Sequence, residues 1–256
     1  MDIKLLQLNL QGGFLIEDVV RFIKEKNLDI INFQEVNGGT LAQGKEKDCF
    51  KYLQNNLPGY EGILAKTWGL IEDDSSYFGN AIFFKNNLKL LEQEIVWMKD
   101  YAKIKGFFKE NPEDIPRNAL ILKFNLNGKT FYDINTHLAW GQTAEDKEYK
   151  IEQAKILYER IEKISEPFVL SGDFNVTPNA QTARMFENLG ENLTTKNNVV
   201  NTLNLKIHYA KERIAPPGYA VDYIFTGKGM SSGKFEVLEK VDLSDHYGLF
   251  SNLRLP

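Results

Sequence analysis

The chain is poor in the residues that would tie it to a membrane, to an oxidising compartment or to a bulk polyanion. Its 256 residues include one cysteine, Cys49, so no internal disulfide can form. That favours a reducing compartment or indifference to one. No run of about 18 apolar residues occurs, which excludes a membrane-spanning helix. The opening MDIKLLQLNL has no basic stretch leading a long apolar run and no small-residue cleavage site, so no signal peptide is expected. The cytoplasm is the expected location, unless a leader lies upstream of these residues. Positive charge is not in excess either: the net charge is -4. That argues against a nonspecific nucleic-acid coat protein, which is usually basic. It leaves a nuclease open, because bound metal ions bring charge that composition does not count. What is present is an ordinary globular balance, 43% hydrophobic and 26% charged. The length suits one large α/β unit spanning 1–256.

Strand-like runs recur along the whole chain: 3–10, 28–36, 60–66, 78–85, 88–98, 118–126, 129–138, 167–175, 220–227, 235–243 and 247–255. Asn125-Leu126-Asn127-Gly128 reads as a tight hairpin between two of them. Helical periodicity is confined to 15–26 and 143–165, with a shorter helix expected around 179–189. Two stretches read as loops. Residues 99–116 are charged and contain two prolines, and 191–218 are rich in Asn, Thr and Lys and end in Pro216-Pro217-Gly218. Loops of this length in a compact domain are often functional. Many strands with interspersed helices predict mixed sheets covered by helices.

The informative pattern is where amides, acids and histidines fall. Asn9, Glu35, His137, Asp173 with Asn175, Asp222, and Asp245 with His246 all sit at the ends of apolar strands, where loops build sites. Asp173 and Asn175 are two residues apart, so in extended chain they share a face. They can orient a water and hold a phosphoryl oxygen, or form an ordinary Asp-Asn turn. Glu35 offers hard oxygen to Mg²⁺, or is a solvated strand end. Asp222 lies inside an apolar strand and needs a partner. His246 is the candidate, with Asp222 fixing its tautomer and favouring its charged form. His137 is a proton carrier or a structural histidine. Arg117 presents a fork suited to phosphate, or is a surface arginine. His208, the third histidine, is expected at the surface.

Taken as an ordered set, these residues resemble the endonuclease/exonuclease/phosphatase (DNase I-like) superfamily. The resemblance runs from Asn9 to His246 with every motif in the family's order. It implies a four-layer αββα sandwich, two mixed sheets packed face to face with helices outside and the site at one rim. It implies that Glu35, Asn9 and Asp245 hold Mg²⁺, with Mn²⁺ as an alternative. Asp173 would orient or deprotonate water, Asp222 and His246 would act as a pair, and Asn175, His137 and Arg117 would contact phosphate. Gln11 departs from the Asp that some members carry at that place, so no metal contact is expected from it. The implied activity is metal-dependent hydrolysis of phosphate esters, foremost as a phosphodiesterase or nuclease. Enzymes of small or lipid-linked phosphoesters and an inactive binding module on the same fold stand as alternatives. The expected partner is a phosphoester substrate, with nucleic acid among the candidates; no obligate protein partner is evident.

Substrate choice is expected in loops 99–116, 139–145 and 191–218. Trp140, Phe107, Phe108 and Tyr219 there either stack on a base or serve packing, and packing is the expectation. Lys103, Lys105 and Lys109 are expected to be solvated beside Glu110, Glu113 and Asp114.

Overall fold

The structure is a computed structural model that describes residues 2–256. Thirteen strands run β1 (Asp2–Asn9), β2 (Ile30–Gln34), β3 (Tyr60–Leu70), β4 (Asp73–Lys85), β5 (Lys89–Lys99), β6 (Ala102–Ile104), β7 (Arg117–Leu126), β8 (Lys129–His137), β9 (Phe168–Asp173), β10 (Gly190–Asn192), β11 (Asp222–Gly227), β12 (Ser231–Val237) and β13 (Leu249–Arg254). Five helices accompany them: α1 (Ile16–Lys26), α2 (Cys49–Asn56), α3 (Glu148–Glu162), α4 (Gln181–Glu187) and α5 (Leu193–Lys196). The strands form a seven-stranded sheet, β12-β13-β1-β2-β4-β3-β6, and a six-stranded sheet, β10-β11-β9-β8-β7-β5. Both are mixed: β1–β2 and β8–β9 are parallel, whereas β1–β13 and β7–β8 are antiparallel.

Side-chain alternation builds three apolar cores and therefore four layers. On β1 and β2, Leu6, Leu8, Ile31 and Phe33 pack against Val19, Ile23 and Leu53 of α1 and α2. The opposite row, Ile3, Leu5 and Ile30, meets Leu122, Phe124, Phe131, Val169 and Ile224 of the other sheet. That sheet's outer face packs Ile121, Ile134, Leu170 and Phe225 against Leu157, Ile161 and Phe186 of α3 and α4. This is the αββα sandwich expected from the sequence.

The row between the sheets is not apolar along its whole length. Ile3 and Leu5 are followed on the same face by Gln7 and Asn9, Ile30 by Asn32 and Gln34, Phe131 by Asp133, Asn135 and His137, and Val169 by Ser171 and Asp173; all of these polar groups are buried. Amides pay for this by bridging the sheets. Asn32 Nδ2 donates to Asp133 Oδ1 (2.9 Å) and Ser171 Oγ (2.9 Å), Gln34 Nε2 to Asn135 Oδ1 (2.6 Å), and Gln7 Nε2 to Asp222 Oδ1 (2.9 Å). Buried polar groups need such partners.

Most expected elements form, with instructive differences. The hairpin at 125–128 is present, with Asn127 and Gly128 both at positive φ. The run 235–243 stays extended only to Val237, since Val241 N–H turns back to the Leu238 carbonyl. Loop 99–116 contains the short β6, and 191–218 contains part of β10 and α5. Helix α2 was not expected; it is short, capped by Asp48, and buries only Cys49 and Leu53. Among the described residues no helix is long and apolar enough to cross a membrane.

Candidate active site

The polar end of the intersheet layer lies at the C-termini of β1, β2, β8 and β9 and the N-termini of β7 and β11, where the sequence-expected residues meet. Asp173 ends β9, and its Oδ1 accepts the backbone N–H of Asn175 (2.9 Å). Its Oδ2 accepts from Asn9 Nδ2 (3.1 Å), which also donates to Glu35 Oε1 (3.1 Å). His137 Nε2 lies 3.5 Å and His246 Nε2 3.8 Å from the same Asp173 oxygen. Asp222 Oδ2 is 2.8 Å from His246 Nδ1 and accepts from Thr202 Oγ1 at 2.6 Å. Two residues of the set have left-handed backbone, Glu35 at φ 53° and Asn175 at φ 54°. Asn tolerates this, while Glu pays about 1 kcal/mol. The cost at Glu35 is met by its surroundings: its carbonyl accepts from Gly12 N–H, and Val36 N–H reaches Gly79 O.

The electrostatics follow from burial. Burial, then the charge of Asp245, pushes the Glu35 carboxyl up to about 7. Asp245 is also raised, chiefly by burial. Burial opposes charge on His246, but Asp222 and Asp173 outweigh it and hold the imidazole well above its usual range. His137 moves the other way, to about 3, through burial and the nearby Arg117 charge; its Nδ1 has no partner.

Arg117 is the outlier. It is only 1% exposed, yet Nε, Nη1 and Nη2 all lack a hydrogen-bond partner. Its guanidinium lies 5.9 Å from the centre of the Phe78 ring and 6.0 Å from that of Phe107. Burial lowers its pKa to about 10, against the pull of Asp173 and Glu35. A buried cation with five unused donors is costly unless something anionic meets it.

One position differs from the sequence reading. His208 is not at the surface: it is 6% exposed, with its ring 5.8 Å from that of His246 and Nε2 4.0 Å from Asp245 Oδ2. A loop histidine is exposed by default, but here the 191–218 loop folds back, with Asn204 N–H donating to the Asp245 carbonyl (2.8 Å). Lys103 is solvent-exposed, as expected, and pairs with Asp74 at the surface. Gln11 offers only its backbone N–H, to Asn9 Oδ1 (3.0 Å). Phe107, Phe108 and Trp140 do meet, with ring centres 5.1 to 6.0 Å apart, and Tyr209 joins at 6.4 Å from Phe108.

Sequence reasoning also missed Gln7, Thr202 and Lys150. Gln7 was legible, two residues before Asn9 on one face. Thr202 carries no local signal. Lys150 is 2% exposed, and its Nζ donates to the carbonyls of Thr143, Glu145 and Asn175, each at 3.0 Å. Two groups of three side chains have ligand atoms within 4.8 Å of one another and share His246: Asp173 with Asp222, and His208 with Asp245.

The fold is shared with solved structures of low identity. A Bacteroides vulgatus endonuclease/exonuclease/phosphatase superposes with TM-score 0.72 at 21% identity, covering 100% of both chains. A Bacteroides thetaiotaomicron mannosyl-6-phosphatase gives TM-score 0.73 at 18% identity, covering 99% of this chain and 100% of that one. D. rerio TDP2 complexed with single strand DNA product gives 0.68 at 17%, covering 99% of each. No curated protein matches the sequence. The model of the Endonuclease/Exonuclease/phosphatase family matches residues 6–246, and the chain belongs to that family.

Proposed function

We propose that this chain is a divalent-metal-dependent hydrolase of phosphate esters, acting on phosphodiesters with single-stranded nucleic acid among them. The observation that carries the reading is a set of opposite charges gathered at one place. Two buried carboxylates, Asp173 and Asp245, and the half-buried Glu35 share a cleft with a guanidinium that has no hydrogen-bond partner. A phosphoryl group bridged to a cation satisfies both halves.

The donor set fits a hard cation. Asp245 raises the cost of ionising Glu35, and Asn9 turns its NH2 to Glu35 while its amide oxygen, held by the Gln11 N–H, keeps a lone pair for a cation. These three residues would hold Mg²⁺ or Mn²⁺, which when bound polarises a phosphoryl oxygen and offsets charge on the departing alkoxide. Asp173 orients water and takes its proton, its carboxylate fixed by Asn9 and by the Asn175 N–H. Asp222 fixes His246 so that Nε2 faces the cleft and, charged, donates to a phosphoryl oxygen. Arg117, His137 and Asn175 offset or hold the remaining oxygens. Displacement is in line, with water and departing group on opposite faces of phosphorus.

A second reading, a small phosphoester as substrate, is favoured by one observation: Phe107 and Phe78 shield the Arg117 fork, which suits a compact phosphoryl group.

The test is turnover of bis(4-nitrophenyl) phosphate by EDTA-treated protein with and without Mg²⁺ or Mn²⁺, followed by single-stranded DNA, RNA, inositol phosphates, sugar phosphates and sphingomyelin. Metal-restored turnover is expected, falling at least about a hundredfold in Asp173→Asn. A folded Asp173→Asn protein with full turnover refutes the role, and no turnover of any substrate with either metal refutes the hydrolase reading.

A further inference from the structure

We infer that His208, from the loop after α5, is a hydrogen-bond donor to the departing oxygen of the substrate. This rests on the hydrolase reading above and adds to it a residue outside the motifs that carry the family resemblance.

Three observations lead there. First, the ring is nine-tenths buried, tilted against Tyr209 (ring centres 4.8 Å apart) and against His246 (5.8 Å). Second, its tautomer is fixed by the backbone. The N–H of Ala210 donates to His208 Nδ1 at 3.1 Å. A nitrogen that accepts cannot carry the proton, so the neutral ring carries it on Nε2. The two histidines and Asp245 have the spacing of a metal site. However, an Nε2 that holds a proton has no lone pair for a metal, and the Ala210 contact assigns His208 a donor's part. Third, among the described residues no hydrogen-bond acceptor is in reach of Nε2. Asp245 Oδ2 is 4.0 Å away, beyond hydrogen-bonding distance.

The side of the cleft follows from Asp245. With Glu35 and Asn9 it would hold the cation that offsets charge on the departing alkoxide, and His208 Nε2 lies 4.0 Å from its Oδ2. In-line displacement puts the departing group opposite the water that Asp173 holds. His208 is therefore assigned to the departing side. In the step itself, the water oxygen bonds to phosphorus and the bond from phosphorus to the departing oxygen breaks, its electron pair staying on that oxygen. The water's proton passes to Asp173, and the departing oxygen takes a proton from solvent. His208 keeps its own proton and only donates a hydrogen bond as charge grows.

A donor of this kind matters most for poor leaving groups. The experiment uses aryl methyl phosphates or aryl phosphates, whichever the wild type hydrolyses, with departing phenols from 4-nitrophenol to phenol. His208→Leu is expected to lose less than about 3-fold in kcat on the nitrophenyl ester and about 30-fold on the phenyl ester. His208→Gln, which keeps an N–H near that place, is expected to restore most of the phenyl activity. Equal loss across the series, or none, overturns the inference while leaving the hydrolase reading intact; a wild type that turns over neither series nor any substrate of the panel above overturns both. A measurement on the unaltered protein guards against misfolding of the variants. Long-range ¹⁵N–¹H spectra at neutral pH are expected to show His208 protonated on Nε2, and a proton on Nδ1 alone overturns the inference.

Discussion

Asp133 sits between the sheets with no cation near it, and that makes the stability of the fold depend on pH in a calculable way. Its Oδ1 accepts from Asn32, its Oδ2 has no partner, and burial lifts its carboxyl from 3.8 to about 7. Between these values the folded chain keeps a proton that the unfolded chain has released. Stability from this group is therefore complete below about pH 4, falls as pH rises to about 7, and is flat beyond. Roughly three pH units at about 1.4 kcal/mol each give a loss of about 4 kcal/mol by pH 8, against about 1.5 kcal/mol at pH 5. Asp133→Asn has the shape of the protonated acid and nothing to ionise. Urea unfolding of both proteins at pH 5 and pH 8 cancels every other titrating group. The variant is expected to be the more stable, by a margin that grows by about 2.5 kcal/mol between the two pH values. On thermal melts, that growth is worth about 5–10 °C for a chain of this size. A margin that does not change with pH refutes the assignment of a charge-free Asp133.

Other outcomes follow from single contacts. A Cβ at Gly172, where φ is 157°, would lie 1.9 Å from the Thr136 carbonyl oxygen; Gly172→Ala is expected to give little soluble protein, and a native melt would refute the steric argument. Arg117→Lys keeps the charge but not the fork, so kcat/KM is expected to fall about 10- to 100-fold with the circular dichroism spectrum unchanged. EDTA is expected to abolish turnover without unfolding the chain, because Asn9 already bridges Glu35 and Asp173. Mg²⁺ added back is expected to raise the melting temperature by relieving the Glu35–Asp245 repulsion, and a melt indifferent to Mg²⁺ counts against the metal site.

The sequence was legible where chemistry and period coincide. Alternation on β1, β2, β8 and β9 reports both the sandwich and the strand ends, so Asn9, Glu35, His137 and Asp173 were found from their places in apolar runs. The Asp222–His246 contact was legible because a carboxylate in an apolar strand requires a partner. His208 was not: its burial comes from a loop folding onto Asp245, and no periodicity carries that. The same holds for Thr202, which reaches Asp222 across 20 residues of irregular chain. Helix α2 escaped because eight residues with two buried side chains leave too weak a helical pattern. The strand expected at 235–243 was overextended because Leu238 and Leu243 continue the apolar reading into a turn, where both pack against the helix-side core.

The shift from aliphatic to amide lining along single strands gives the sandwich a firm end and a breathing end. Around Leu5, Leu122 and Phe124, water gains entry only when the whole domain opens, so their amide protons exchange at the rate of global unfolding. Around Gln34, Asn135 and Asp173, a crosslink broken in a local opening can be replaced by one to water. Those protons exchange through partial opening. Side chains at that end are therefore expected to adjust by tenths of an ångström, while the distant grease keeps the two sheets in register.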